Sequence, residues 1–108
     1  KVKEIIEESK EYLNEKDLEK VNSENTDIID GYVGDGYALS TQEELNFIWD
    51  LAKKEGVILD PVYTGKAMFG LHKEIKKGSF KNSKNILFVH TGGLFGLFPK
   101  KNQFEFKS

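Results

Sequence analysis

Asp60-Pro61-Val62-Tyr63-Thr64-Gly65-Lys66-Ala67-Met68 and Ile86-Leu87-Phe88-Val89-His90-Thr91-Gly92-Gly93 are the two stretches that decide how this 108-residue chain is read. In the first, the proline disfavours helix at Asp60 and forces an extended bend. From Gly65 a helix with Met68, Leu71 and Ile75 turned inward then runs to Lys76-Lys77-Gly78, a cationic last turn followed by a glycine stop. In the second, the unbroken apolar run Ile86–Val89 predicts a strand covered on both faces. A helix leading into a buried strand implies an α/β fold, with part of a parallel sheet flanked by helices. Tyr63, Thr64, Thr91 and the glycine pair then fall at the ends of buried elements, where an α/β enzyme places a cofactor.

Working outward, Ser40-Thr41-Gln42-Glu43 fits a capping box, with the serine hydroxyl on an N3 amide and Glu43 reaching back. Leu45, Ile48, Trp49 and Ala52 share a face behind it, which predicts a helix over 41–55 ended by Gly56. Val57-Ile58-Leu59 is short and apolar, a buried strand or core turn. Upstream, Val2, Ile5, Ile6 and Leu13 recur at helical spacing among charges that read as a solvated face, predicting an amphipathic helix over residues 2–15. Asn22 to Thr26 is polar turn material, and Ile28 to Val33 is an entry strand or a structured loop ending in Gly34 and Gly36. Leu94 onward is a short Leu/Phe-rich segment, with a mixed tail from Lys100 that includes Phe104 and Phe106.

Composition bounds the function. Hydrophobic residues make up 38% and charged residues 31%, with eight Phe and four Tyr, so the chain is globular in kind and long enough for one domain. A formal net charge of −2 gives no electrostatic footprint for nucleic acid or for an anionic membrane, and neither partner is expected. The absence of cysteine excludes disulfides and thiolate metal sites and fits a cytoplasmic location. No apolar run approaches the ~20 residues of a membrane span. The opening Lys1-Val2-Lys3-Glu4, with no starting Met, reads as the interior of something longer or as a processed end.

Several motifs bear on chemistry. Thr91-x-Gly93-x-x-Gly96 after an apolar run is one glycine short of a dinucleotide fingerprint and is not followed by the acidic residue about 20 positions on that would hold a ribose. Thr64-Gly65-Lys66-Ala67 lacks the earlier glycine of a phosphate loop and has alanine where Mg²⁺ needs a hydroxyl. His72 and His90 are the only histidines and do not make a zinc site. His72 reads as a helix-surface or partly buried residue, whereas His90 gains interest from its place after the apolar run. Tyr63 and Thr64 also have a plain structural reading, as a packed aromatic followed by an N-cap hydroxyl.

The run from Gly34-Asp35-Gly36-Tyr37, through Glu55-Gly56-Val57-Ile58-Leu59-Asp60-Pro61-Val62-Tyr63-Thr64-Gly65-Lys66, to His90-Thr91-Gly92-Gly93 resembles the C-terminal part of the D-cysteine desulfhydrase and 1-aminocyclopropane-1-carboxylate (ACC) deaminase family. These are fold-type-II (tryptophan-synthase-β-like) enzymes dependent on pyridoxal 5′-phosphate (PLP). The resemblance covers about residues 28–98. It implies that residues 1–108 are a single C-terminal segment of the PLP-binding large domain, with the N-terminal part of the parent protein absent.

Carried over residue by residue, the resemblance makes Tyr37 and Tyr63 the active-site tyrosines, serving substrate binding and proton transfer, and Thr91, Thr64 and Gly92 the cofactor-binding residues. The PLP Schiff-base lysine is not in this sequence, and Lys66 matches a structural position. Thr64 and Thr91 stand where the deaminase branch has Glu and Leu, and where the desulfhydrase branch has threonines. A carboxylate beside the pyridine nitrogen favours its protonated form through a charge-assisted bond of ~1.5–3 kcal/mol, against ~0.5–1.5 for a neutral hydroxyl. Threonines therefore favour elimination of a thiol over opening of a cyclopropane, with Thr91 placed first at the ring nitrogen and Thr64 second. The resemblance thus implies a parent lyase converting D-cysteine to pyruvate, ammonia and sulfide, with ACC deaminase as the alternative. It further implies a small amino-acid substrate, a homodimeric complete protein, and no activity from these residues alone. A non-catalytic binding or scaffold domain is the reading from another class. Asp35 and Ala38 depart from the more helix-averse or smaller residues expected there, and Leu94-Phe95-Gly96 from the smaller residues usual after the glycine pair.

Overall fold

The computed structural model describes residues 1–21 and 26–105. The expected turn at residues 22–25 and the tail residue Phe106 lie outside the described residues. Among the described residues four α-helices occur in chain order: α1 (Val2–Ser9), α2 (Glu15–Leu18), α3 (Gln42–Glu55) and α4 (Thr64–Lys77). Turns of 3₁₀ helix follow at Lys10–Tyr12 and over Leu94–Gln103.

The expected single helix over 2–15 is broken. Leu13 is extended (φ −100°, ψ 148°), and Asn14 begins a new helix by accepting the Asp17 N–H on its side-chain oxygen. A short amide that can cap outcompetes one more turn of α1, and α1 buries none of its side chains.

Helix α3 forms where its pattern places it, but its cap is one residue on. The Thr41 hydroxyl accepts the Glu44 N–H at 3.2 Å, and the Glu44 carboxylate accepts the Thr41 N–H at 2.7 Å. Ser40 and Glu43 do not make the box, because the Ser40 hydroxyl instead donates to the Pro61 carbonyl at 3.0 Å. Leu45 and Ile48 are buried in this register, as are Leu59, Asp60 and Pro61 of the linker between α3 and α4. Gly56 ends α3 and Gly78 ends α4, both in the left-handed region.

The buried face of α4 is not the expected Met68, Leu71 and Ile75. It is Thr64, Gly65, Lys66 and Gly70, and Ile75 is exposed. Small residues face inward because backbone and rings approach there. A Cβ on Gly65 would lie 2.5 Å from the Asp60 carbonyl oxygen and 2.5 Å from Ile48 Cδ1, and one on Gly70 would lie 3.0 Å from the Tyr32 ring. Aromatic contacts close the other side of the seam, with Phe47 5.5 Å from Phe69 and 5.2 Å from His72, centroid to centroid.

The expected parallel sheet is absent among the described residues, which contain no strand. Ile28–Val33 is a structured loop, and Ile86–Val89 and Val57–Leu59 carry no ladder. A strand exists only by pairing, and these runs have no neighbouring edge. Leu87 is 89% exposed, so the face expected to be covered is open.

Candidate functional site

Asp60 is the centre on which both decisive stretches converge. One carboxylate oxygen accepts the Val62 and Tyr63 N–H groups at 2.8 Å each; the other accepts the Thr64 N–H at 2.8 Å and the Thr64 hydroxyl at 2.6 Å. Its own N–H donates to Thr64 Oγ1 at 3.0 Å. The side chain therefore holds the N-terminus of α4 as an extended cap, set three residues further back than usual. Asp60 is 1% exposed, and burial alone would raise its pKa. The bonds from Thr64, Tyr63 and Val62 outweigh that and hold it below its ordinary value, so the group is a buried carboxylate anion.

The glycine tract lies on the same side chain. A Cβ on Gly93, at φ +92°, would sit 2.9 Å from Asp60 Oδ1, and one on Gly96 would sit 3.6 Å from Asp60 Cβ. The spacing Gly93-x-x-Gly96 thus clears room for Asp60. His90 completes the turn: its Nδ1 accepts the Gly92 N–H at 3.0 Å, which fixes Nε2 as the protonated nitrogen donating to the Ile58 carbonyl at 2.9 Å. His90 therefore ties the second tract to the α3–α4 linker.

Tyr63, the last residue before α4, meets Tyr37 across an open cleft of ≈ 340 Å³ that is also lined by Tyr32, Val33 and Lys66. The two hydroxyls are 2.7 Å apart and the rings pack edge to face, 6.1 Å between centroids. Both rings are largely exposed. The Tyr37 bond first, then the neighbouring Tyr37 charge, burial and Asp60, raise the pKa of Tyr63 above its ordinary value, so the phenol keeps its proton.

The loop carrying Tyr37 is fixed to α4 from two sides. Lys66 is 8% exposed and its ammonium donates to the Gly36 carbonyl at 3.0 Å and to the Val33 carbonyl. Tyr32 donates its hydroxyl to Glu74 at 2.5 Å while Lys77 donates to it at 2.9 Å. The Lys66 amine is thus committed to backbone carbonyls.

Of the residues singled out in the sequence, Tyr37 and Tyr63 come together at the cleft. Thr64 is 3% exposed, its hydroxyl bonded to Asp60 in both senses. Thr91 is exposed at the start of the glycine turn, and the Gly92 N–H is taken by His90. Asp60 was missed. Its sequence signal was the Asp-Pro-x-x-Thr spacing, in which a carboxylate can reach several N–H groups of the coming helix, but Asp60-Pro61 was read only as a bend.

A family model described as pyridoxal-phosphate dependent enzyme matches residues 5–92. The chain belongs to that family. An Arabidopsis thaliana protein named bifunctional D-cysteine desulfhydrase/1-aminocyclopropane-1-carboxylate deaminase, mitochondrial, is 50% identical over 84 residues, which are 77% of this chain and 21% of the relative. A Thermotoga maritima protein provisionally named 1-aminocyclopropane-1-carboxylate deaminase is 42% identical over 104 residues, 95% of this chain and 30% of the relative. The chain thus spans less than a third of the length of either relative. No solved structure matches it.

The family's cofactor is PLP, and the cleft and hydroxyl set fit part of its needs. A space of ≈ 340 Å³ lies within the usual range of small-ligand sites. Tyr37 and Tyr63 present neutral hydroxyls at this cleft, and Thr91 presents an exposed one outside its lining; each can hydrogen-bond uncharged or anionic groups. Among the described residues no three-member His, Asp or Glu group could hold a metal, and no helix is long and apolar enough to cross a membrane.

Proposed function

We propose that this chain is the C-terminal wall of a PLP-dependent lyase that converts D-cysteine to pyruvate, ammonia and sulfide. The observation that carries the reading is the Tyr37–Tyr63 hydroxyl pair, 2.7 Å apart at a cleft also lined by Tyr32, Val33 and Lys66. The threonines at positions 64 and 91 direct it toward elimination.

When bound, PLP supplies the sink for the electron pair left at the substrate α-carbon. Thr91 would hold the cofactor through its neutral hydroxyl, and Gly92 would let the backbone approach it. Thr64 supports the site from beneath, through Asp60. Tyr63, its pKa raised, stays protonated near neutral pH and donates toward the leaving sulfur. Tyr37 can replace the proton Tyr63 gives up, and Tyr37, which is largely exposed, takes its own replacement from water, so both phenols end neutral.

The remainder of the parent protein supplies the Schiff-base lysine and the edges against which Ile86–Val89 and Val57–Leu59 pair as strands of a parallel sheet. The exposure of Ile86 (45%), Leu87 (89%) and Val89 (68%) supports this. The complete protein is proposed to be a cytoplasmic homodimer, and residues 1–108 alone to be inactive. A preparation of the segment that released sulfide would overturn that last point.

ACC deamination is the second reading, favoured by the printed name of the Thermotoga maritima relative. The parent protein, assayed with D-cysteine for sulfide and pyruvate and with ACC for ammonia and 2-oxobutyrate, decides between them. Preference for D-cysteine supports the proposal, preference for ACC replaces it, and failure of both leaves a non-catalytic domain.

A further inference from the structure

We propose that Asp60 is a positioning residue for Tyr63, holding the tyrosine and the Gly92–Gly93 turn in one rigid register. The inference rests on the functional reading above only in taking Tyr63 as a substrate-side group. Asp60, at 1% exposure, touches no solvent-borne substrate itself. It acts through what it holds: the backbone N–H of Tyr63 with one oxygen, Thr64 with the other, and the open face of Gly93 against its carboxylate.

The demand on the side chain is specific. Both oxygens accept two hydrogen bonds, and all the partners are donors. Asparagine has the same shape, but it must turn an NH₂ toward a pair that includes at least one backbone N–H, losing bonds at Tyr63 or at Thr64. Glutamate would be one carbon too long for the space beneath Gly93. This differs from an ordinary helix cap, where Asn and Asp are nearly equivalent. The Asp60 charge is the smallest of the causes that raise the Tyr63 phenol, and the other ionisable groups lining the cleft around that phenol are Asp30, Tyr32, Tyr37 and Lys66.

The test uses the full-length parent holoenzyme with Asp60→Asn, alone and combined with Tyr63→Phe. Asp60→Asn is expected to lower kcat by about 10–100-fold with KM little changed, because a misplaced donor costs rate rather than affinity. In the Tyr63→Phe background the same substitution should have little further effect. Independently of turnover, the phenolate titration of Tyr63, isolated as the ultraviolet difference from Tyr63→Phe, should move to lower pH in Asp60→Asn, since a negative charge is removed. An Asp60→Asn enzyme with wild-type kcat and an unmoved Tyr63 titration overturns the proposal. If Asp60→Asn does not fold, Thr64→Val and Thr64→Ser replace it: Val should shift the Tyr63 titration and Ser restore it, and no difference between them overturns the proposal. Should the wild-type enzyme turn over neither D-cysteine nor ACC, the functional reading fails while the titration still decides the role of Asp60.

Discussion

Thr64 and Asp60 hydrogen-bond to each other in both directions. The Thr64 hydroxyl donates to Asp60 Oδ1 at 2.6 Å and accepts the Asp60 N–H at 3.0 Å, with both residues buried. Thr64→Val keeps the shape and removes both bonds, leaving the Asp60 N–H without this acceptor. Loss of a buried partner costs about 1–3 kcal/mol. The expected result is a fall in the denaturant midpoint with unchanged slope, and Thr64→Ser should recover most of it. An unchanged midpoint in Thr64→Val would show that the pair adds no stability.

Gly65 tests how tightly α4 sits on the linker. A methyl there meets the Asp60 carbonyl oxygen and Ile48 Cδ1, each at 2.5 Å, and only the second can be relieved by a side chain. Gly65→Ala should destabilise by about 1–3 kcal/mol, the usual cost of overpacking. Ile48→Val in the same chain should recover only part, because the backbone contact stays. Thermal unfolding of the two variants checks this, and complete recovery would show that the carbonyl contact is soft.

Which parts of this arrangement could be read in advance follows from how local each one is. Helix α3 and the two glycine stops follow from residues near in sequence, and they form as expected. The choice between Ser40 with Glu43 and Thr41 with Glu44 was not local, since Pro61 claims the Ser40 hydroxyl. The buried face of α4 was misread because hydrophobicity marks where large side chains go, whereas Gly65 and Gly70 are buried by the approach of Asp60, Ile48 and Tyr32. Ile86–Val89 has the composition of a strand and lacks an edge to pair with. Tyr37 and Tyr63 were found through resemblance to a family; their contact across 26 positions has no local signature.

Ala38 adopts φ +57°, the only positive φ among the described non-glycine residues. It follows Tyr37, so its strain is stored beside the hydroxyl pair. A left-handed alanine costs about 1–2 kcal/mol, part of which glycine returns as unfolded-chain entropy. Ala38→Gly is therefore expected to be neutral or stabilising by up to about 1 kcal/mol in chemical denaturation. A loss of stability would mean that the alanine methyl makes a contact worth more than the strain.

Glu74 gives the loop an acid-sensitive fastening. Hydrogen bonds from Lys77, Ser79 and Tyr32 lower its pKa from 4.5 to about 2. A depressed carboxylate contributes stability that is present above its unfolded pKa and lost as pH falls through the folded one, so the window is pH 4.5 down to about 2. Tyr32 should detach from α4 across that range, followed by its fluorescence or by amide exchange in the 31–37 loop. Glu74→Gln should show the detached signal already at neutral pH, and a variant that kept the acid transition unchanged would assign it to another carboxylate.

Thr64→Glu combined with Thr91→Leu puts the deaminase pair into this site. On the roles proposed for the two threonines, sulfide release from D-cysteine by the parent enzyme should fall at least about tenfold, because the Thr91 hydroxyl is gone and a carboxylate takes the place of Thr64. The glutamate carries a second cost here: it enters next to the buried Asp60 anion, where two like charges cannot both stay ionised without a penalty. Thr64→Glu alone should therefore be the less stable single variant, and Thr91→Leu alone should affect turnover more than folding. Measuring unfolding midpoint and sulfide release on both singles and on the double separates the contributions. If the double variant released sulfide at the wild-type rate, the threonines would not be what sets the reaction.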